Sequence, residues 1–298
     1  MELYKVKITL QSSFMTILRG DTLFGHLCWA LRYVEGEIAL EGLLEGYTQG
    51  RPFAVVSDAF PSEWLPKPHL PMKLLGENPE KKKENRKQRW LTADDLAVGR
   101  FSNAVDDKKA GLEKKPALEI HNAINYRTSR TGEGFDPYAS LLHSYAKSMT
   151  FYVLINTDRI DIERIERAFV WVGASGYGKK ATVGKGRFVV ESMEAVALSS
   201  RGKAFMTLSP CVLEGLEATA CFYDTFVRFG KHGASLAKQK AFKKPLLMAD
   251  TSAVVVFDEE KELPFIGKGV DGISAIHPKT VHQGYAITVA TGVDDAKL

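Results

Sequence analysis

The sequence is poor in cysteine. Its 298 residues include three, Cys28, Cys211 and Cys221, and no two of them form a C-x-x-C pair. A disulfide framework uses a denser, even set of cysteines, and a cysteine zinc site uses closely spaced pairs. Histidine and acidic residues form no cluster with metal-ligand spacing either. We therefore expect no disulfides, no metal, no cofactor and a reducing, cytoplasmic location.

Long hydrophobic runs are also absent. No apolar stretch approaches the ~20 residues that a membrane-spanning helix needs. The chain begins MELYKVK, which alternates like a strand and contains no apolar core of a secretory leader. The composition, 45% hydrophobic and 26% charged, is that of an ordinary soluble globular protein. The sequence therefore predicts no membrane partner.

An excess of positive charge is small overall but locally concentrated. The formal net charge is +4, yet residues 67–130 contain 15 Lys or Arg and 9 Asp or Glu. This segment therefore carries +6 and the remainder −2. A polyanionic partner would be attracted to it. The alternative is a solvated lysine-rich insertion, which is the better interpretation of the charge run at residues 80–89.

Hydrophobic periodicity predicts alternating strands and helices in the first two thirds of the chain. Strands are predicted at residues 3–10, 53–60 (ended by Pro61) and 149–155, with another beginning at Phe188. Two helices with apolar stripes lie between these strands and are capped by Asp21 and Asp161. The order β-α-β, excursion, β-α-β is the ferredoxin-like arrangement, with both helices on one face of an antiparallel sheet.

The remaining segments predict an insertion and a second unit. Residues 61–148 lack regular periodicity, and a stretch this long is usually a functional excursion or partly disordered. A smaller α+β unit begins near residue 199, with strands predicted at 205–208, 253–257 and 285–290. We therefore predict an N-terminal domain at residues 1–198, with the insertion at about 61–148, and a C-terminal domain at residues 199–298.

A glycine-rich basic loop spans residues 173–188, GASGYGKKATVGKGRF. Glycine lets the backbone approach a phosphate closely and adopt positive φ, and successive N–H groups form an anion-binding concavity. Tyr177 adds a face for stacking, and Phe188 is a core residue or a second stacking ring. The predicted contacts are Gly176, Gly178, Lys179, Lys180, Gly184, Lys185, Gly186 and Arg187. The alternative is a mobile glycine turn.

Two nucleotide-binding motifs nearly match this loop. Residues 173–180 fit G-x-x-x-x-G-K but end in Lys180, where a P-loop needs Ser or Thr after its lysine, and residues 176–181 fit a loose dinucleotide fingerprint. Both motifs require a strand before the loop and a helix after it. Here the helix comes first, so no helix N-terminus would face a pyrophosphate. The order of elements excludes both motifs.

The loop resembles the signature of a known superfamily. A helix, G-x-G, a basic spacer, G-x-G-[RK]-F and a strand are similar to the glycine-rich loop of the CRISPR-associated RAMP proteins. More narrowly, several segments resemble the Csm-type subunit of the Cas-five group in type III-A effectors. These segments are residues 21–29 (DTLFGHLCW), 65–68 (LPKP), 121–128 (HNAINYRT), the loop itself and 281–285 (VHQGY).

The resemblance implies an α+β fold of two ferredoxin-like (RRM-like) domains, the second degenerate. It implies a non-catalytic subunit of a type III-A interference complex in antiviral defence, which holds the 5′ repeat-derived tag of the crRNA. The implied protein partners are the large polymerase and nuclease subunit and the first backbone RAMP subunit. An excursion from the first domain acts as a thumb near the tag–guide junction in this family, and residues 61–148 match it in position.

Further RNA contacts are predicted outside the loop. His121, Asn122, Tyr126 and Arg127 offer hydrogen-bonding groups, a ring and a cation, which is how single-stranded RNA is usually held. The alternative for this segment is an ordinary polar turn. Arg19, just before the first helix, contacts the tag or forms the turn.

Two histidines leave an enzymatic alternative open. RAMP-fold endoribonucleases often use a histidine near the first helix as the general base for 2′-hydroxyl attack, and His26 lies there, with His121 as the second candidate. No clear Ser, Tyr or Lys partners surround His26 in the sequence. We expect no enzyme. The alternatives are a metal-independent endoribonuclease that processes crRNA and an assembly protein that contacts only other subunits.

Overall fold

The structure is a computed structural model that describes residues 1–112, 117–132, 134–143, 145–233, 236, 238 and 241–293. It is a mixed α and β fold built around two five-stranded sheets. In the part of the chain described, no helix is long and apolar enough to span a bilayer.

The N-terminal part contains nine strands and six helices among the described residues. In chain order they are β1 Glu2–Leu10, α1 Gly20–Glu35, α2 Glu37–Leu44, β2 Ala54–Val56, β3 Phe60–Pro61, β4 Leu65–Pro66, α3 Met72–Leu75, α4 Lys82–Asn85, β5 Trp90–Leu91, α5 Ala93–Val98, β6 Ala117–His121, β7 Tyr138–Leu142, β8 Ser148–Ile155, α6 Ile162–Ser175 and β9 Phe188–Ala195. Short 3-10 turns occur at Tyr47–Gln49, Pro79–Lys81, Phe101–Asn103 and Ala181–Val183.

The C-terminal part is described by seven strands. They are β10 Arg201–Thr207, β11 Ala220–Phe222, β12 Thr225–Arg228, β13 Leu246–Ala249, β14 Val254–Glu262, β15 Phe265–Val270 and β16 His282–Ala290. Strands β10, β14 and β16 contain or overlap the three strands predicted for this region, and each begins or ends within a few residues of the expected position.

The first sheet has the strand order β2-β8-β1-β9, with β3 also pairing with β8, and every pair is antiparallel. The order of its elements is the predicted β-α-β, excursion, β-α-β. In β1 the predicted apolar face is buried at Tyr4, Val6 and Ile8. Helices α1 and α6 pack together and bury their apolar stripes in the same core cluster.

Helix α1 begins two residues earlier than a cap at Asp21 predicts, and its N-cap residue differs. Arg19 occupies the N-cap position, and Asp21 makes no capping bond because its side chain is buried elsewhere in the structure. A Cβ atom on Gly20 would lie 2.2 Å from the carbonyl oxygen of Val56, so only glycine lets the helix start this close to β2. Asp161 occupies the predicted N-cap of α6 but makes no side-chain capping bond.

The predicted strand at residues 53–60 is divided into β2 and β3, which both pair with β8. The predicted irregular insertion contains regular structure that the periodicity did not indicate. Strands β6 and β7 form an antiparallel hairpin in which Leu118 faces Leu141 and His121 faces Tyr138. This hairpin lies beside the glycine-rich loop, so it bears directly on the candidate site.

The second sheet has the order β11-β14-β10-β16-β15, and β12 and β13 form a separate two-stranded ribbon. Its strands share one buried core cluster with the first sheet, including Met206, Val254 and Ile287. The segment 281–285 joins the two sheets. The Gln283 amide accepts from the Val56 N–H at 2.8 Å and donates to the Val56 carbonyl at 2.7 Å, and the Tyr285 hydroxyl donates to the Tyr47 carbonyl.

Candidate nucleic-acid interface

The glycine-rich loop runs from the end of α6 to the start of β9, as predicted. Four of its glycines have positive φ, between +73° and +93°, at Gly176, Gly178, Gly184 and Gly186. Glycine is most strictly required at two of these positions. A Cβ on Gly186 would lie 2.1 Å from the Tyr177 carbonyl oxygen, and a Cβ on Gly178 would lie 2.5 Å from the Thr16 side chain. The loop is therefore a tightly folded structure and not a loose turn.

The side chain of Tyr177 is fully buried, so the predicted stacking face is not available. Its hydroxyl donates to the Ile17 carbonyl at 2.6 Å and accepts from the Arg19 N–H at 3.2 Å. Its ring lies 4.8 Å from that of His26. Tyr177 thus fastens the loop to the start of α1. Phe188 is buried as well, so it is a core residue and not a stacking ring.

The imidazole of His26 accepts a hydrogen bond from the loop. The Gly178 N–H donates to His26 Nε2 at 3.1 Å. Because a backbone N–H can only donate, Nε2 carries no proton, and a neutral ring then has its proton on Nδ1. Burial lowers the pKa of His26 to about 4, so the ring is neutral near pH 7.

The four loop cations have different environments. Lys179 and Arg187 are exposed, and the backbone of each is fixed: the Lys179 N–H donates to Thr16 Oγ1 and the Arg187 N–H to Ser12 Oγ. Lys180 has a φ of +65° and donates to the Tyr138 hydroxyl at 3.1 Å. Lys185 is half-buried and donates to Ser13 and to the Glu119 carboxylate.

The second predicted cluster lies on the β6–β7 hairpin and the loop at its tip. His121 is in β6, where its ring stacks against Tyr138 at a centroid distance of 5.1 Å. Asn122 and Tyr126 are exposed, Tyr126 at 83%. Arg127 donates to the Tyr126 hydroxyl at 3.0 Å and lies beside that ring. The structure brings this hairpin to the glycine loop through the contacts of Lys180 with Tyr138 and of Lys185 with Glu119.

Arg19 lies between the loop and the C-terminal part. Its guanidinium pairs with Asp250 at 2.5 Å and lies 4.3 Å from the centre of the Phe226 ring, and its backbone N–H bonds to Tyr177. Arg19 therefore takes part in the turn before α1, and its predicted contact with the RNA tag stays a prediction. Its side chain is half-buried, with 17% exposed.

Sequence reasoning missed a buried ionic cluster at the start of α1. The Asp21 carboxylate lies 2.7 Å from Arg228 Nε and 3.2 Å from His282 Nε2. Burial acts to raise the pKa of Asp21, but the neighbouring His282 imidazole and the positive charge of Arg228 outweigh it and lower the pKa. The DTLFG and VHQGY segments meet here, although nothing in their separate patterns indicates that they pair.

Taken together, the site is a rigid turn of backbone with two exposed cations, next to a hairpin that presents an exposed ring and a second arginine. Such an arrangement can neutralise phosphates and can stack a base. Its two histidines also contact neighbouring residues: His26 accepts the Gly178 N–H, and the His121 ring stacks on Tyr138.

Known structures resemble the whole chain. A chain from the crystal structure of the Csm1-Csm4 cassette in complex with pppApA matches with a TM-score of 0.60 and 17% sequence identity, over 99% of this chain and 100% of that one. A chain from the Csm3-Csm4 subcomplex of the type III-A CRISPR-Cas interference complex matches with a TM-score of 0.55 and 14% identity, over 98% and 100%. Csm4 is the component that both assemblies contain.

This chain has a Csm4-like fold. The Csm4-like fold includes the insertion and the C-terminal part, because the coverage is nearly complete on both chains. No protein-family model matches the sequence, and no curated protein matches it. The likeness is therefore one of structure at low sequence identity.

Proposed function

We propose that this chain is a non-catalytic subunit of a type III-A CRISPR interference complex that binds the 5′ repeat-derived tag of the crRNA. The observation that carries the proposal is the glycine-rich loop, which presents Lys179 and Arg187 from a backbone fixed by Tyr177 and His26. The Csm4-like fold supports it, because the matched structures belong to type III-A assemblies.

The proposal includes two ferredoxin-like domains, the second degenerate, divided near residue 198. The first sheet supports this, since its strand order and two helices follow the split β-α-β pattern. The second sheet has five strands, and the described residues of the C-terminal part contain no α-helix, which agrees with a degenerate copy. The β6–β7 hairpin is the proposed thumb, because it projects Ile120, Ile124 and Tyr126 into solvent next to the loop.

The absence of catalysis is supported by the state of His26. A general base for 2′-hydroxyl attack needs an unprotonated nitrogen that faces the substrate. The Gly178 N–H occupies Nε2, and Nδ1 carries the proton in the neutral ring. His121 is the remaining candidate, and magnesium-independent cleavage of a repeat RNA that is lost in His121→Ala would overturn the proposal.

The proposed protein partners are the large polymerase and nuclease subunit and the first backbone RAMP subunit. Support comes from the solved assemblies, whose names pair Csm4 with Csm1 in one case and with Csm3 in the other. Both comparisons cover nearly the whole of this chain and all of the matched chain.

The test is RNA binding by the double variant Lys179→Ala/Arg187→Ala. Removing two phosphate contacts from a single strand should flatten the plot of log affinity against log salt by roughly 0.7 per contact and weaken binding at low salt. The matched control is Lys82→Ala/Lys83→Ala, which removes the same charge from an exposed helix of the insertion. Equal effects of the two variants, or no effect of either, would contradict a specific phosphate site at the loop.

A further inference from the structure

The β12–β13 ribbon presents an apolar and cationic face to solvent. On this face Val227 lies directly opposite Leu247, and both are exposed. Phe229 follows on the same side of its strand, because alternate residues share a face, and it is 66% exposed. Beyond the strands, Lys231 pairs with Phe242, and its Nζ lies 4.6 Å from the centre of that exposed ring. These five residues, Val227, Phe229, Lys231, Phe242 and Leu247, are called the ribbon face.

The opposite face of the ribbon is fixed to the helix that supports the glycine loop. Phe226 lies under the Arg19 guanidinium, and Arg228 pairs with Asp21 and with the Thr22 hydroxyl. Gly233 packs so closely on Trp29 that a Cβ would lie 2.7 Å from the indole nitrogen. Since the Arg19 N–H is bonded to Tyr177 and His26 of α1 is bonded to Gly178, the ribbon has a fixed position relative to the loop.

The chemistry of the ribbon face favours RNA over a protein partner. It combines two exposed phenylalanine rings with one exposed lysine, and none of its five named residues is acidic. Exposed aromatic rings next to cations are how single-stranded nucleic acid is held, by base stacking together with neutralisation of the backbone. The core of a protein interface is instead depleted in lysine, whereas Lys231 lies directly over the exposed Phe242 ring of this face.

We propose that the ribbon face stacks bases of single-stranded RNA and lengthens the RNA path that begins at the glycine loop. Phe229 and Phe242 supply the stacking surfaces, and Lys231 contacts a neighbouring phosphate. The inference rests on the proposed function, since it assigns a second contact region to the same RNA.

The experiment measures binding of the full chain to fluorescent oligouridine by anisotropy. Phe229→Ala/Phe242→Ala should bind roughly tenfold or more weakly, which is the effect that the loss of base–aromatic stacking has elsewhere. Phe229→Tyr/Phe242→Tyr should retain binding, because the ring is kept. Phe229→Leu/Phe242→Leu should remain weak, because leucine keeps apolar area but has no π-face. Ile38→Ala, which truncates an exposed apolar residue on α2, is the control.

The outcomes separate this inference from the proposed function. Normal binding by the Phe→Ala variant together with weak binding by Lys179→Ala/Arg187→Ala overturns the ribbon site and leaves the function intact. Normal binding by both variants overturns both proposals.

If Phe229→Leu/Phe242→Leu binds RNA as well as Phe229→Tyr/Phe242→Tyr does, the apolar area of the side chain is sufficient and the proposed base stacking is wrong. If the Phe→Ala variant keeps its RNA affinity but loses a protein subunit of the complex, the ribbon face is a protein interface. Because both rings are exposed, unfolding midpoints should match the wild type and report any general defect.

Discussion

Gly186 combines a φ of +73° with a neighbouring carbonyl oxygen where its side chain would be. Gly186→Ala should therefore lower the free energy of unfolding by about 3 kcal/mol, from the left-handed backbone together with steric overlap. Gly184 is the matched control, because its φ is +86° but a Cβ there meets no atom within 4 Å. Gly184→Ala should cost only about 1–2 kcal/mol, the backbone contribution.

Urea unfolding of the two variants measures the difference. If both variants lost a similar free energy of unfolding, the close approach of Gly186 to Tyr177 would not constrain the loop. RNA affinity, measured at a temperature where both variants are folded, should also fall further in Gly186→Ala, because this glycine lies between Lys185 and Arg187.

Asp58 makes the stability of the protein depend on pH. Burial raises its pKa to about 7, although the charge of Arg19 and the hydrogen bonds from Thr251 and Gly20 act in the opposite direction. Between about pH 4, where the unfolded carboxyl titrates, and pH 7 the folded state holds a proton that the unfolded state has released. The contribution of Asp58 to stability therefore falls as pH rises through this window.

Asp58→Asn removes this titration and keeps both contacts, since an amide can accept from the Gly20 N–H and donate to the Thr251 hydroxyl. The stability of the variant relative to the wild type should rise from pH 4.5 to pH 7 in urea unfolding, across the window set by the two pKa values. Asp21 does not interfere, because its pKa is lowered and it titrates below this range. If the stability of the variant and of the wild type changed with pH in parallel, the raised pKa of Asp58 would be contradicted.

The β6–β7 hairpin is the element beside the candidate site that sequence reasoning did not find. Its strand β6 reads Ala-Leu-Glu-Ile-His, with Leu118 and Ile120 on the exposed side and Glu119 and His121 turned toward the glycine loop. This is the reverse of the usual pattern, in which the apolar face is buried. Periodicity identified β1 and α6 because their apolar faces enter the core, and it failed at β6 for the same physical reason.

The loop shows a similar division between what the sequence determines and what only the fold determines. Its place after a helix and before a strand, and its need for glycine, follow from local sequence. The burial of Tyr177 and the pairing of Lys185 with Glu119 do not, because each depends on a contact more than 60 residues away in the chain. Distant partners of this kind leave no mark in local periodicity.

The hairpin should bind RNA without supporting the fold. Ile120→Ser/Tyr126→Ser changes two side chains that are mostly exposed, so we expect the free energy of unfolding to change by less than about 0.5 kcal/mol. RNA affinity should fall several-fold, because a stacking ring is lost. Anisotropy and urea unfolding on the same preparation test both points. A large loss of stability would show that the hairpin is part of the core and not a projecting thumb.

At the scale of the whole molecule, one core cluster and one buried ionic cluster join the two sheets. Arg228→Met should lower the free energy of unfolding by about 3–5 kcal/mol, since it leaves the buried Asp21 carboxylate without its main cationic partner. Asp21→Asn in the same chain should recover a substantial part of that loss. A double-mutant cycle with no coupling between the two positions would contradict the pairing.

The same connection predicts a single unfolding transition. All four tryptophans, Trp29, Trp64, Trp90 and Trp171, precede residue 199, so tryptophan fluorescence reports the N-terminal part, whereas far-UV circular dichroism reports both sheets. The two signals should change at the same denaturant concentration. Separate midpoints would mean that the two parts unfold independently.

The reversed hairpin also determines how the isolated protein behaves in solution. Leu118, Ile120 and Leu141 form an apolar strip on a short two-stranded ribbon, with Ile124 and Tyr126 at its end. Exposed apolar strands of this kind promote self-association. The purified chain should therefore form concentration-dependent oligomers by light scattering, and Ile120→Lys should reduce them. The surface proposed for RNA recognition is thus also expected to limit the solubility of the free chain.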